Sequence, residues 1–249
     1  MIEAITNLDL NPLLISFKLA LITTIILFIF SLPLAWYLSQ TKSRAKPFIE
    51  AVTALPIVLP PSVIGFYILW SLSINSPVGS FFDEVLGIKL VFNFTGVVIA
   101  SCFYSLPFMV QPLQSGFESI NKNMLEASYV AGKSKFETLI KVALPNIKPA
   151  LMTATIVTFA HTVGEFGVVL MVGGSIPGET KVAAVAIYEF VEIIDYRSAH
   201  IYSAIMLIIS FIVLLCVYIF NQKYNKKYRK EKITQLNCAI FYSMFVKIA

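Results

Sequence analysis

The side chains with the clearest chemical potential lie inside an apolar run. His161 and Glu165 stand four apart in FAHTVGEFGVVL, a spacing that puts both on one face of a continuous helix. An acid in hydrocarbon surroundings is costly, so it is expected to mark a functional site. Two roles fit. The pair can line a path or gate for a polar solute, or a protonated Glu165 can bond to His161 or a nearby carbonyl and hold two helices together. Gly164 and Gly167 flank the acid and permit close helix approach. A closed metal site needs more ligands than this pair offers, so neither a metal nor a cofactor is expected. Gly132-Lys133-Ser134 imitates the end of a phosphate-binding loop. That motif needs Gly where Ala127 stands, and a strand before it, so nucleotide binding is not expected of this chain. Cys102, Cys216 and Cys238 are far apart and form neither a ligand pattern nor a disulfide framework.

The elements that must carry these residues are membrane helices. The chain has 249 residues, 57% hydrophobic and 13% charged, with a mean hydropathy of +0.80. A soluble domain carries about 25% charged residues. Five segments reach the roughly 20 apolar residues that a crossing needs: 13–38, 51–73, 91–113, 150–172 and 201–220. They are continuous rather than alternating, which favours helices over a barrel. The fold class is therefore an all-α membrane protein of about five transmembrane helices. The first run is too long for a cleavable signal, and Glu3 and Asp9 stand where a basic region would be needed.

Lys and Arg fall into alternate loops. Lys42, Arg44 and Lys46 follow segment one, and Lys122, Lys133, Lys135, Lys141 and Lys148 lie between segments three and four. Lys223, Lys226, Lys227, Arg229, Lys230 and Lys232 follow segment five, whereas the other loops hold only Lys89, Lys181 and Arg197. Positive charge marks the cytoplasmic side. The expected topology has the N-terminus outside and the C-terminus in the cytoplasm. The net charge of +5 is thus a topology device, and it calls for no nucleic acid.

Prolines disturb three of the segments. Pro33 is expected to kink segment one. Pro56, Pro60 and Pro61 remove three backbone donors from segment two, which must break or bend at membrane depth. Irregular backbone survives there only against protein or a water-filled path. Either a packed kink or a path-lining break satisfies that rule. Pro107 and Pro112 are expected to disturb segment three similarly. Asn93-Phe94-Thr95 matches a glycosylation sequon but abuts the membrane, and no role is assigned to it. After segment four, Gly173-Gly174-Ser175-Ile176-Pro177-Gly178-Glu179 reads as a turn-rich outer mouth. Residues 182–194 are too short to span and read as an interfacial or re-entrant helix. The residues after 222 form a basic tail with a hydrophobic end.

The longest polar interruption, 121–148, carries its own folding signals. Asn123 and Glu126 have capping-box spacing, followed by a short helix. Gly132 fits just past its end, where a positive φ costs a glycine nothing. Ser134 and Glu137 form a second capping box. That helix is expected to stop before Pro145. The unit is helix, Gly elbow, helix, offering a face to a partner.

This stretch resembles the EAA loop of ABC importer permeases. Glu126, Ala127 and Ser128, then Gly132, then Val142, Leu144 and Pro145 match that family pattern at intact spacing, with Ser128 and Val142 as mild departures. LPIVLPPSVIGF, the HTVGEFG run and SIPGETK further resemble molybdate permease subunits, which often carry Arg where His161 stands. The resemblance implies the type I importer permease fold. It implies a homodimer in the bacterial inner membrane, with two cytoplasmic ABC ATPase subunits and an extracytoplasmic molybdate-binding protein. ATP hydrolysis would sit on the ATPase, so the chain itself is not expected to be an enzyme. Residues 1–222 would form the permease domain, with coupling loop 121–148, and 223–249 the cytoplasmic tail. Glu126, Ala127, Ser128, Gly132, Leu144 and Pro145 would dock the ATPase. Pro60, Pro61, His161, Gly164, Glu165 and Gly167 would line the path or gate. Ser175, Pro177, Gly178 and Glu179 would form the outer mouth. The solute would be molybdate or tungstate. Alternatives are a permease for sulfate or another small oxyanion, an intramembrane enzyme using His161 and Glu165, and a structural scaffold.

Overall fold

A computed structural model describes residues 9–215, 218, 219 and 222. The described residues form eleven helices. In chain order they are α1 (Asn11–Gln40), α2 (Lys46–Val58), α3 (Pro61–Leu72), α4 (Pro77–Leu86) and α5 (Phe94–Glu118). Then come α6 (Lys122–Val130), α7 (Lys135–Asn146) and α8 (Lys148–Val163), α9 (Gly167–Gly173) and α10 (Ala183–Glu192), and α11 (Tyr196–Leu215). Among the described residues three of them, α1, α5 and α11, are long and apolar enough to cross a membrane, and counting each bent pair, α2–α3 and α7–α8, as one span gives up to five. The basic tail lies outside the described residues.

Helices α1, α5 and α8 form the central packing unit. Their cores join the elbow directly. Leu27, Leu38, Met109, Leu113, Phe117, Leu125, Leu139, Ala143 and Ile147 form one buried cluster, so α6 and α7 belong to the core and do not hang from it. Trp36 meets Phe117 edge to face at 5.1 Å. At the opposite end, Leu19, Val97, Val169, Val182 and Val185 close a second cluster. There α10 is tied to α1 by Ala183 N–H donating to Ser16 Oγ at 2.8 Å. Lys46 reaches Glu118 at 3.0 Å and pins α2 to the end of α5.

Segment two breaks as its prolines require. Helix α2 ends at Val58, Leu59 and Pro60 are extended, and α3 leaves at 113°. Pro61 takes the first helical position of α3, where a missing N–H costs nothing. The other prolines, Pro56 included, do not interrupt their helices. Helix α1 runs unbroken through Pro33, and α5 through Pro107 and Pro112. In a tightly packed membrane helix, neighbours and local adjustments re-satisfy the freed carbonyls.

Two boundaries also differ. Asn121, not Asn123, caps α6, accepting from Asn123 N–H at 3.0 Å. An Asx side chain reaches the N–H two residues on equally well from either position, and burial of Leu125 and Ser128 sets the register. The helix after Ser134 does not stop before Pro145. It widens into a π-helical turn at Leu139–Ala143 and continues through Leu144–Asn146. The wider turn bonds Leu144 N–H to Leu139 O, which accommodates a residue without an N–H. Helix α4 was not foreseen. Ser76 caps it through Gly79 N–H at 2.9 Å, Pro77 opens it, and Gly87 ends it at φ 64°. Its exposed Val78, Phe81 and Val85 suit an interfacial helix. The sequon Asn93 is the cap of α5, accepting from Gly96 N–H at 2.8 Å.

Candidate functional site

The elbow is a fully satisfied polar joint. Gly132 sits at φ 77°. Lys133 N–H donates to Ser128 O at 3.2 Å and Gly132 N–H to Tyr129 O at 2.9 Å, the paired bonds of a Schellman ending. Ser134 and Glu137 close their capping box, and Lys141 reaches Glu137 at 2.8 Å. Lys141 and Ser134 together hold the Glu137 carboxyl below its ordinary range. Ser128 Oγ meets Thr138 Oγ1 at 2.9 Å, both buried, which clamps α6 against α7. The two arms therefore move as one piece.

The outer surface of this joint is apolar. Val130 is 89% exposed and Phe136 69% exposed, with Met124, Tyr129 and Ile140 also open. Glu126 and Ala127 lie on the exposed side, Ser128 is buried, Leu144 is half-buried and Pro145 exposed. A groove of about 900 Å³ runs between the elbow and the end of α1, lined by Trp36, Tyr37, Lys133, Lys135 and Phe136 among others. The exposed apolar side chains were missed in the sequence, where their helical spacing looks like core.

The second candidate region is the break in segment four. Helix α8 ends at Val163 and α9 begins at Gly167, so His161 and Glu165 do not share a continuous helix face. Gly164 has no neighbouring helix against it, but a Cβ on Gly167 would lie 2.8 Å from Pro61 Cβ. The broken ends of segments two and four thus meet, bringing together Pro61 and Gly167. Gly65 packs just as closely on Met171, fixing α3 along α9.

His161 is engaged elsewhere. Its ring stacks on Phe108 at 3.9 Å, and its Nδ1 lies 3.0 Å from Ser105 Oγ. Ser105 Oγ lies 3.0 Å from Thr162 Oγ1, whose own proton goes to Thr158 O at 2.9 Å. Ser105 must therefore donate to Thr162, and His161 Nδ1–H to Ser105. Glu165 is 4% exposed, and neither carboxyl oxygen has a hydrogen-bond partner. The bond to His161 considered from the sequence is not formed. Thr23, Thr24, Ser31, Ser101 and Thr158 also bury hydroxyls without a partner. These small polar groups line α1, α5 and α8, and in the sequence their only signal was Ser and Thr recurring inside apolar runs.

The turn expected to form the outer mouth is ordered by Thr180, which donates to Gly173 O at 2.7 Å and accepts from Ile176 N–H at 3.1 Å. Gly178 turns the tip at φ 79°, with Pro177 and Glu179 exposed and Ser175 half-buried. Lys181 pairs with Glu189 of α10. Among the described residues no group of three or more His, Cys, Asp or Glu could hold a metal ion.

Comparison with known proteins agrees with this architecture. The chain is 46% identical to the molybdenum transport system permease protein ModB of Azotobacter vinelandii over 84% of its own length and 93% of that protein. It is 31% identical to a probable sulfate transport system permease protein of Chlorella vulgaris, covering 88% of this chain and 82% of that one. The fold matches the inward-facing MetNI methionine ABC transporter with a TM-score of 0.69 at 15% identity, over 89% of this chain and 98% of that one. Residues 20–230 match the family of binding-protein-dependent transport system inner membrane components, and the chain belongs to that family.

Proposed function

We propose that this chain is the membrane-spanning permease subunit of an ATP-driven oxyanion importer, with molybdate or tungstate as the solute. The observation that carries the reading is the elbow. It is a rigid joint continuous with the transmembrane core on one side and bearing exposed apolar side chains on the other. Such a surface suits a lever pressed by a separate subunit. The high identity to a molybdenum permease over nearly the whole chain supports the choice of solute.

In this reading the chain sits in the bacterial inner membrane as a homodimer, surrounded by lipid. Its N-terminus is outside, and the elbow and C-terminus are in the cytoplasm. Residues 1–222 are the permease domain and 223–249 a basic tail. Two cytoplasmic ABC ATPase subunits bind Glu126, Ala127, Ser128, Gly132, Leu144 and Pro145. An extracytoplasmic binding protein delivers the anion to the mouth at Ser175, Pro177, Gly178 and Glu179. Closure of the ATPases on ATP moves the elbow as one body, and α1, α5 and α8 rock with it. The broken ends at Pro60, Pro61, Gly164 and Gly167, with His161 and Glu165 alongside, are where the path opens and shuts. Weak polar contacts, not a fixed cation, let the anion leave. Affinity for the solute resides in the binding protein.

The test is uptake by vesicles containing the permease, its ATPase and its binding protein. Molybdate or tungstate should enter only with all three and ATP, and excess sulfate should compete poorly. Uptake of sulfate in preference would favour the sulfate reading, which the 31% identity to a sulfate permease keeps open. Uptake without the ATPase would refute the proposal.

A further inference from the structure

Glu165 combines three features that a mere structural acid does not need. It lies in the gap between α8 and α9, it is 4% exposed, and both of its oxygens are unpartnered. Ser101 of α5 lies within reach of it, and the Ser101 hydroxyl has no other partner. Cys102 is the next residue on α5, and Thr23 of α1, with a free buried hydroxyl, lies against it. Three elements therefore deliver hydroxyls, a thiol and a carboxyl to one buried place.

No neighbour offsets a negative charge there. From α5 the titratable groups facing it are Cys102 and Tyr104, both neutral. From α8 comes His161, whose Nδ1 is taken up by Ser105. On α1, Lys18 is drawn instead over the Phe94 ring at 4.6 Å. Helix α9 carries no ionisable side chain. On the α10 side Tyr188 packs on Phe166, and Lys181 is paired with Glu189. A buried charge without a counter-ion costs far more than taking up a proton. A charged carboxylate would also repel a dianion at the junction of the broken helices.

We propose that Glu165 is a proton site: it is held as a neutral carboxylic acid whose O–H and C=O form a switchable clasp between the α8–α9 break and the hydroxyl of Ser101 on α5. With the proton in place, the acid can donate to the Ser101 oxygen or accept its proton, tying the break to α5. Removing the proton leaves a carboxylate that can only accept and places a negative charge beside the path. The clasp is then a positioning device that makes import fail in alkaline conditions. Its transport consequence rests on the oxyanion-import reading above, whereas its protonation does not.

Infrared spectroscopy of the purified permease decides the protonation directly. Glu165 is the one acid buried among the described residues. At neutral pH the wild-type chain should show the C=O stretch of a protonated carboxyl group. Glu165→Gln should lack this band, and Ser101→Ala should shift it to higher frequency by removing a hydrogen bond. Identical wild-type and Glu165→Gln spectra in that region would overturn the proposal, whatever the transported solute. In the reconstituted transporter, wild-type uptake should fall about tenfold per pH unit once the proton is lost, the slope of a single titration. Glu165→Gln, which mimics the neutral acid, should lose that slope, whatever its absolute rate. Equal pH profiles for the two would refute the clasp, and for a Glu165→Gln variant too slow to profile the infrared comparison decides it. If the wild type takes up no oxyanion at all, the import reading fails and the infrared result still decides the proton site.

Discussion

The elbow and the α8–α9 break are opposites in how they treat polar groups. At the elbow every buried hydroxyl has a partner, as Ser128 and Thr138 show, and Val130, Phe136 and other apolar side chains face outward. At the break the apolar side chains are packed, and the carboxyl and hydroxyl groups are buried without partners. Satisfied polar networks rigidify, whereas unsatisfied ones raise the energy of the state that holds them. In the proposed reading the elbow is thus the part that transmits a displacement without deforming. The break has bonds still to make, and so is the part that has another arrangement to move into.

The largest expected effect attacks the elbow's backbone. Gly132→Pro cannot adopt φ 77° and loses the N–H donated to Tyr129 O, a local cost of about 3 kcal/mol or more. Uptake should be abolished while the chain still inserts in the membrane, as checked by fractionation. Gly132→Ala meets nothing within 4 Å, so only the left-handed backbone is penalised, by about 1–2 kcal/mol, and partial uptake should survive.

Next comes a substitution at the break. Gly167→Leu would drive a side chain into Pro61, since even a Cβ would sit 2.8 Å from Pro61 Cβ. Overpacking of this kind costs about 1–3 kcal/mol. It should lower the melting temperature and uptake together, whereas a change confined to the elbow should spare the melting temperature more than the uptake.

The clamp inside the elbow should respond more mildly. Ser128→Ala leaves Thr138 Oγ1 buried and alone, at a cost of about 1–3 kcal/mol. Adding Thr138→Val should recover much of the stability, and thermal melts of the double-mutant cycle check this. The smallest effect is that of Ser134→Ala, about 1 kcal/mol for a lost cap. The Glu137 carboxyl lies below its ordinary range because Lys141 and Ser134 favour its charged form. Its stabilisation is therefore present above the unfolded carboxylate pKa and is lost as pH falls through the lower folded value. Melting temperatures measured across the acid range should show the deficit of a Lys141→Ala variant shrinking only there.

The same contrast explains what the sequence disclosed. Local backbone signals were readable: Gly132, the Ser134–Glu137 box, and the break at Pro60–Pro61 all appear where their chemistry requires, although Pro56 stays inside α2. Features that depend on packing were not. Asn121 and Asn123 are equally good caps in isolation, and only the burial of Leu125 chooses between them. Pro145 normally ends a helix, and a π turn carries α7 past it. Segment four reads as one apolar run because hydropathy is blind to the gap at Gly164. The buried unpartnered hydroxyls were invisible as a group, since Thr23, Ser101 and Thr158 come from three helices. The membrane crossings themselves were plain, because length and hydropathy alone define them.

The central claim is that the elbow faces the cytoplasm and is driven there by a separate ATPase. Val130, 89% exposed at its tip, offers the most direct test. A Val130→Cys variant, in a chain whose own cysteines are replaced, can be treated with a membrane-impermeant thiol reagent from either side. The account predicts labelling from the cytoplasmic side alone, and protection when the ATPase is bound. Labelling from the external side, or labelling unchanged by the ATPase, would contradict it.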